Sequence, residues 1–117
     1  MKLNFNIIHM RAVKPAMGAF GAELIATMII NNHDHVKHCY GLTVEIPEGY
    51  VGILLPSPNI VDKIEKVANL GVYTSADNRK ELSAIFTLPD DMVHDFYQEG
   101  EVSAILIVVP FLKYEIA

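Results

Sequence analysis

The segment from Leu42 to Asn59 limits the fold more than any other part of this chain. Leu42-Thr43-Val44-Glu45-Ile46 alternates apolar and polar residues with a period of two, which puts Leu42, Val44 and Ile46 on one face of a half-buried strand. Pro47-Glu48-Gly49-Tyr50 follows with turn chemistry, and Val51-Gly52-Ile53-Leu54-Leu55 restores strand character. The spacing predicts a hairpin from Thr43 to Leu55. Pro56 and Pro58 then remove two ladder donors in the Pro56-Ser57-Pro58-Asn59 stretch, so the strand should end there.

The same punctuation recurs along the chain. Leu3 to Ile8, Leu70 to Thr74, Leu82 to Thr87 and Val102 to Val109 read as further strands. Ala76-Asp77-Asn78-Arg79 breaks one of them from the next, and Asp90 to Tyr97 is a polar connection. One stretch has helical spacing. Ile60, Val61, Ile64 and Val67 are apolar with charged residues between, which predicts an amphipathic helix of about two turns, capped by Ser57 or Asn59. Many short strands, frequent turns and one short helix predict an all-β sandwich or distorted barrel. The 117 residues suit a single domain, residues 1–117.

The apolar run from Val102 to Leu112 is broken by Ser103 and Pro110 and is too short to cross a membrane as a helix. It reads as a buried strand. Ile105 to Val109 hardly alternates, so both faces of that strand should be covered. A small sandwich covers one face with its own core, and the other needs a neighbouring chain.

Charge narrows the partners. The net charge is −5 and the nine Lys and Arg are scattered, which argues against binding duplex nucleic acid through its phosphates. Cys39 is the only cysteine, so no disulfide forms within the chain, in keeping with a reducing cytoplasm. No membrane partner is expected.

The densest polar cluster is His33-Asp34-His35-Val36-Lys37-His38-Cys39. On a strand, His33 and His35 would share one face and Asp34 and His38 the other. A metal needs three or four converging ligands, and local sequence supplies no third ligand for the histidine pair. A polar loop with no metal is the expectation. Asp90-Asp91 and the pair Glu99 and Glu101 read as solvated acids. Cys39 lacks any nucleophile signature and suits burial.

Against this frame, the order of segments resembles the trimeric dUTPase family over Leu3 to Val109. Gly41 to Tyr50 is similar to the strand and turn that precede the family's second motif. Gly18-Ala19-Phe20-Gly21-Ala22-Glu23-Leu24-Ile25-Ala26 resembles the first motif. Leu55 to Ile60 stands at the second, Val67 to Thr74 and on to Arg79-Lys80-Glu81 at the third, and Gly100 to Leu106 at the fourth. The resemblance implies a β-rich homotrimer that holds a nucleotide between subunits, with a divalent ion on the phosphates.

The chain departs from the family where the chemistry lies. Ser57-Pro58-Asn59 replaces the second motif's Arg-Ser-Gly, and Pro58 has no N–H to offer a phosphate. Thr74 aligns with the third motif's water-activating Asp, unless a one-residue shift makes Asp77 that acid. Asp77 or Asn78 falls near the third motif's Tyr. Glu23 stands for the first motif's Asp, Val102 for the fourth motif's Arg, and the glycine-rich fifth motif is missing.

Three readings follow from that resemblance. The first is a catalytically weakened or inactive dUTPase-like trimer that binds a nucleotide or a phosphorylated small molecule, with Ser57, Asn69, Tyr73, Thr74, Ser75, Arg79 and Lys80 as its lining. The second is a structural or interaction module of a phage or mobile element. The third is an active dUTP diphosphatase that uses Asp77 or Glu23. No cofactor is expected, apart from Mg2+ accompanying a bound nucleoside triphosphate.

Overall fold

The structure is a computed structural model and describes residues 1–32, 35–58, 66–69, 71–87 and 100–117, with backbone alone at 66–69. Its strands are β1 (Asn4–Ile7), β2 (Ala16–Met17), β3 (Ala22–Ile25), β4 (Met28–Asn31), β5 (His35–Cys39), β6 (Leu42–Glu45), β7 (Tyr50–Pro56), β8 (Lys66–Asn69), β9 (Val72–Tyr73), β10 (Ser83–Thr87) and β11 (Val102–Pro110). They form three sheets in the orders β1-β6, β4-β5-β10-β8 and β2-β3-β11-β7-β9. Each of these pairings is antiparallel. Among the described residues the one helical element is a single 3-10 turn, Ser75–Asp77. The all-β architecture expected from the sequence is present.

Three local expectations need correction. The hairpin over Thr43 to Leu55 does not form: β6 pairs with β1, while β7 pairs with β11 and β9. The turn closes as expected, with Tyr50 N–H donating to Pro47 O at 3.1 Å, but it carries the chain from one sheet to another. Gly49, at φ +84°, supplies the left-handed residue that this crossing needs. The helix expected over Ile60 to Val67 falls mostly on residues outside those described. Its last two residues, Lys66 and Val67, belong to β8, where pairing with Thr87 and Phe86 overrides the helical spacing. The histidine-rich segment is no loop from His35 onward. It is β5, an inner strand between β4 and β10, because Val36, His38 and Tyr40 all turn into the core. His33 and Asp34 lie outside the described residues.

One apolar cluster draws on all three sheets. It joins Val36, Ala84 and Phe86 to Ala22, Leu24, Leu54, Ala104 and Leu106, with Leu42 and Val44 from β6. The register explains which residues enter it. Ala22, Leu106 and Leu54 stand in one row across β3, β11 and β7 and face inward, while the neighbouring row of Glu23, Ile105 and Leu55 faces outward.

The core holds a polar knot. Ser103 Oγ lies 2.8 Å from His38 Nδ1 and 2.7 Å from the Tyr40 hydroxyl, and all three residues are fully buried. Ser103 is the extra residue of a bulge between Val102 and Ala104, which turns its side chain inward. The geometry suits a neutral imidazole, with Ser103 O–H donating to Nδ1 while accepting from Tyr40. The His38 ring also meets Phe86 edge-on, with centroids 5.1 Å apart.

Burial holds the His38 pKa down at about 4, from an ordinary value of 6.5. A depressed folded-state pKa fixes the sign of the pH effect. Above pH 6.5 both states are neutral and the full stability is present. Between 6.5 and about 4 the unfolded chain takes up a proton that the folded chain refuses, so stability falls. The loss over that window is about 3 kcal/mol at most. The melting midpoint should therefore drop between pH 7 and pH 4, and a His38→Phe variant should show a shallower drop. Equal slopes for the two proteins would contradict a buried, neutral His38.

Candidate functional site

The loop after β9 carries most of the candidate residues, and its own side chains fix its shape. Thr74 precedes the 3-10 turn and Asp77 ends it, an arrangement that pairs a capping hydroxyl with a returning carboxylate. Thr74 N–H donates to Asp77 Oδ2 at 2.8 Å and the Thr74 hydroxyl donates to the same oxygen at 3.1 Å. In return, Ala76 N–H donates to Thr74 Oγ1 at 3.3 Å. Two backbone bonds of 3.0 Å, Asp77 N–H to Thr74 O and Lys80 N–H to Asp77 O, continue the turn to Lys80.

These bonds decide what Asp77 can do. The Thr74 N–H, then the Thr74 hydroxyl, and more weakly the Lys80 charge hold its carboxyl below the usual carboxylate range. A carboxylate stabilised in this way is a weaker base, and its Oδ2 already accepts two hydrogen bonds. Thr74, the sequence-based candidate for the catalytic position, serves as the cap.

Glu48 completes the loop's supports. It lies in the turn between β6 and β7, and its Oε2 accepts a 2.8 Å bond from the Ser75 hydroxyl. Nothing in the local sequence around Glu48 pointed to this contact, which spans 27 residues. Arg79 and Lys80 are exposed on the same loop, and Lys80 Nζ sits 5.5 Å from the centroid of the Tyr73 ring.

The other candidates lie elsewhere. Tyr73 is 1% exposed and accepts a 3.4 Å hydrogen bond from Ser83 N–H; burial pushes its phenol pKa up. Ser57 is 2% exposed, and its N–H donates to Ser103 O at 2.9 Å. Both are core residues within this chain. The backbone of Asn69 stands opposite Ile85 in β8. Glu23 lies on β3, with its carboxyl folded against Gly18 so closely that a Cβ there would stand 2.6 Å from Glu23 Cδ. The sheet order puts β3 three strands from β9, about 14 Å at ordinary strand spacing. Thr74, Ser75, Asp77, Arg79 and Lys80 thus share one loop, and Glu23 stands well away from it.

Among the described residues the donor set does not build a metal centre. Among the described residues no three His, Cys, Asp or Glu side chains converge, so the chain's own described groups do not fit a divalent ion such as Mg2+. His35 Nε2 accepts a 3.1 Å bond from Asn32 Nδ2, and His38 is buried in the polar knot. Burial, with Glu81 nearby, raises the Cys39 thiol pKa and keeps it unreactive. No helix among the described residues is long and apolar enough to cross a membrane.

No protein family matches the chain by sequence, and no curated protein does either. Solved structures do match. A mutant dUTPase from phage phi11 of S. aureus, studied for coordination of a structural Mg(II) ion, superimposes with a TM-score of 0.79 at 18% identity, over 100% of this chain and 95% of that one. A mutant dUTPase of Staphylococcus bacteriophage 80alpha with dUpNHpp gives 0.77 at 17% identity, over 99% of this chain and 86% of that one. A second 80alpha dUTPase mutant with dUpNHpp gives 0.77 at 18% identity. At such identities the likeness is one of architecture, and on that ground the chain has the fold of the phage dUTPases.

Proposed function

We propose that this chain is the protomer of a homotrimer that binds a nucleotide or another phosphorylated small molecule between subunits, with hydrolysis weakened or lost. The observation that carries this reading is the commitment of Asp77. The one acid on the candidate loop serves as a cap with a lowered pKa, while Arg79 and Lys80 beside it remain exposed and suited to an anion. General-base catalysis needs a carboxylate free to take a proton, and losing one commonly costs about 10²–10⁴ in rate. A bound triphosphate would bring Mg2+ on its own oxygens.

The outward face of the five-stranded sheet supports an assembly. Ile25, Ile53, Leu55, Ile105, Ile107 and Val109 occupy it, with Glu23 as its charged residue. The outward face of the four-stranded sheet instead carries His35, Lys37, Ser83 and Thr87 among its apolar residues. An apolar face of this kind is covered in stable proteins, and the fold's resemblance selects three-fold closure. The same face favours a second reading, a structural module without a ligand, because burial of Ser57 and Tyr73 removes two residues from any lining.

Three measurements test these readings. Light scattering at micromolar concentration should return three times the 13.0 kDa chain mass, and Ile107→Lys should reduce it. A wild-type mass of one chain would sink the assembly. Thermal shift against nucleotides with magnesium should stabilise the protein, by about 2.7 kcal/mol at 100 times the dissociation constant. Arg79→Ala and Lys80→Ala should each weaken that response, whereas a flat panel would favour the structural module. Pyrophosphate release from dUTP should be slow in the wild type, and Asp77→Ala should lower the melting midpoint by loosening the loop. Fast turnover that vanishes in Asp77→Ala would establish an active dUTP diphosphatase with a shifted acid.

A further inference from the structure

Positive charge is spread along this chain, but negative charge is not. Residues 1–22 carry Lys2, Arg11 and Lys14 and no Asp or Glu; the first acid is Glu23. In a chain of net charge −5, the rest therefore stands at −8. The basic part brackets β1, with Lys2 just before that strand and Arg11 and Lys14 in the loop after it.

β1 has an open side. Among the described residues it pairs with β6 and with no other strand. Ile8 N–H donates to Gly41 O at 2.9 Å, so by the alternation of an antiparallel ladder Asn6 and Asn4 also turn their backbone groups toward β6. The N–H and C=O groups of Phe5 and Ile7 then point the other way, along an edge that no described strand covers. Such an edge is a template for an extended peptide. Glu45, opposite Asn4, belongs to β6 and so to the side of β1 away from this edge.

The loop after β1 forms a ledge at the end of that edge. Ala12 N–H donates to His9 O at 2.9 Å, and Arg11 N–H donates to His9 Nδ1 at 3.2 Å. The turn is pressed against Gly41, where a Cβ would stand 2.9 Å from the Cβ atoms of both His9 and Ala12. With His9 and Ala12 packed inward, Met10 stands at the crest, 94% exposed; Ile7, Ile8 and Val13 are 55%, 54% and 46% exposed. Apolar side chains held outward together in this way mark an interaction surface.

Charge, apolar crest and open edge together select the class of partner. A membrane surface or a nucleic acid would answer the positive charges, but the −8 of the remaining chain opposes both, and neither offers a peptide backbone to the edge. A second copy of the ledge would set like charges against each other. An extended acidic peptide answers all three features at once.

We propose that the open edge of β1 and the loop after it are a docking site for an acidic, extended segment of another protein. The segment adds to β1 as a strand, bonding the backbone of Phe5 and Ile7. Its apolar side chains rest on Ile7, Ile8 and Met10, and its carboxylates lie toward Lys2 and Lys14.

The test uses the full chain and a fluorescein-labelled peptide of about eight residues that alternates glutamate and valine. Fluorescence anisotropy should show binding that weakens with salt, and a lysine–valine peptide of the same length should not bind. Amide exchange followed by NMR should slow at Phe5 and Ile7 on binding and stay unchanged at Asn4 and Asn6, which already face β6. Lys2→Glu/Lys14→Glu and, separately, Met10→Asp change exposed side chains, so circular dichroism should be unchanged while affinity falls by about tenfold or more. No binding of the acidic peptide, or binding without protection at Phe5 and Ile7, would overturn the proposal. Phe5 and Ile7 amides already protected in the free protein would overturn it too, because the edge would then be occupied by the protein itself. Capture of phosphatidylserine vesicles or oligothymidylate by this surface in place of the peptide, or unchanged affinity in both folded variants, would have the same force.

Discussion

The hydroxyl of Ser103 holds the two larger sheets in register with each other. It bonds His38, which belongs to the four-stranded sheet, and Tyr40, which comes just after that strand ends at Cys39, while Ser103 itself belongs to the five-stranded sheet. Apolar contacts between sheets tolerate sliding, because dispersion has little directional preference. Hydrogen bonds of 2.7 and 2.8 Å among fully buried groups do not. Any slip would strand a buried polar group at a cost of roughly 1–3 kcal/mol. The bulge that turns Ser103 inward also leaves its carbonyl to receive Ser57 N–H, which ends β7 where Pro58 would break it. The outward apolar rows take their positions from this alignment.

Much of the fold was legible in the residues. Alternation at Leu42 to Ile46, the unbroken apolar run at Ile105 to Val109 and the proline pair at 56 and 58 led to β6, β11 and the end of β7. Pairing was less legible, since the Pro47 to Tyr50 turn looks the same whether it joins partners in one sheet or crosses to another. The β5 strand was hidden by its polar letters. His35, Lys37 and His38 suggest solvent, yet only two of them face outward, and His38 is acceptable inside because a serine 65 residues away meets it. The lone Ser103 within an apolar run was the available sign of that partner. Lys66 and Val67 show the opposite failure, a helical spacing overruled by a neighbouring strand.

The site was legible as a loop and less so as a set of roles. Thr74, Ser75, Asp77, Arg79 and Lys80 lie together because they are close in sequence. The use of Asp77 as a cap could be suspected from a threonine three residues before an acid. Ser57 and Tyr73 are polar letters adjacent to that site in family order, and the register sends both into the core. Distance information, such as the 27-residue bond from Ser75 to Glu48, has no local signature at all.

The capped loop has a consequence for how a ligand is received. A flexible loop must surrender backbone and side-chain freedom when it closes on a ligand, and that entropy subtracts from affinity. Here Thr74, Asp77 and Glu48 hold the loop in shape through bonds that involve no ligand. Arg79 and Lys80 are thus carried on a preorganised platform, and the binding proposed above would be relieved of much of its ordering cost. Under that proposal, the carboxylate held as a cap would serve recognition through rigidity rather than as a base.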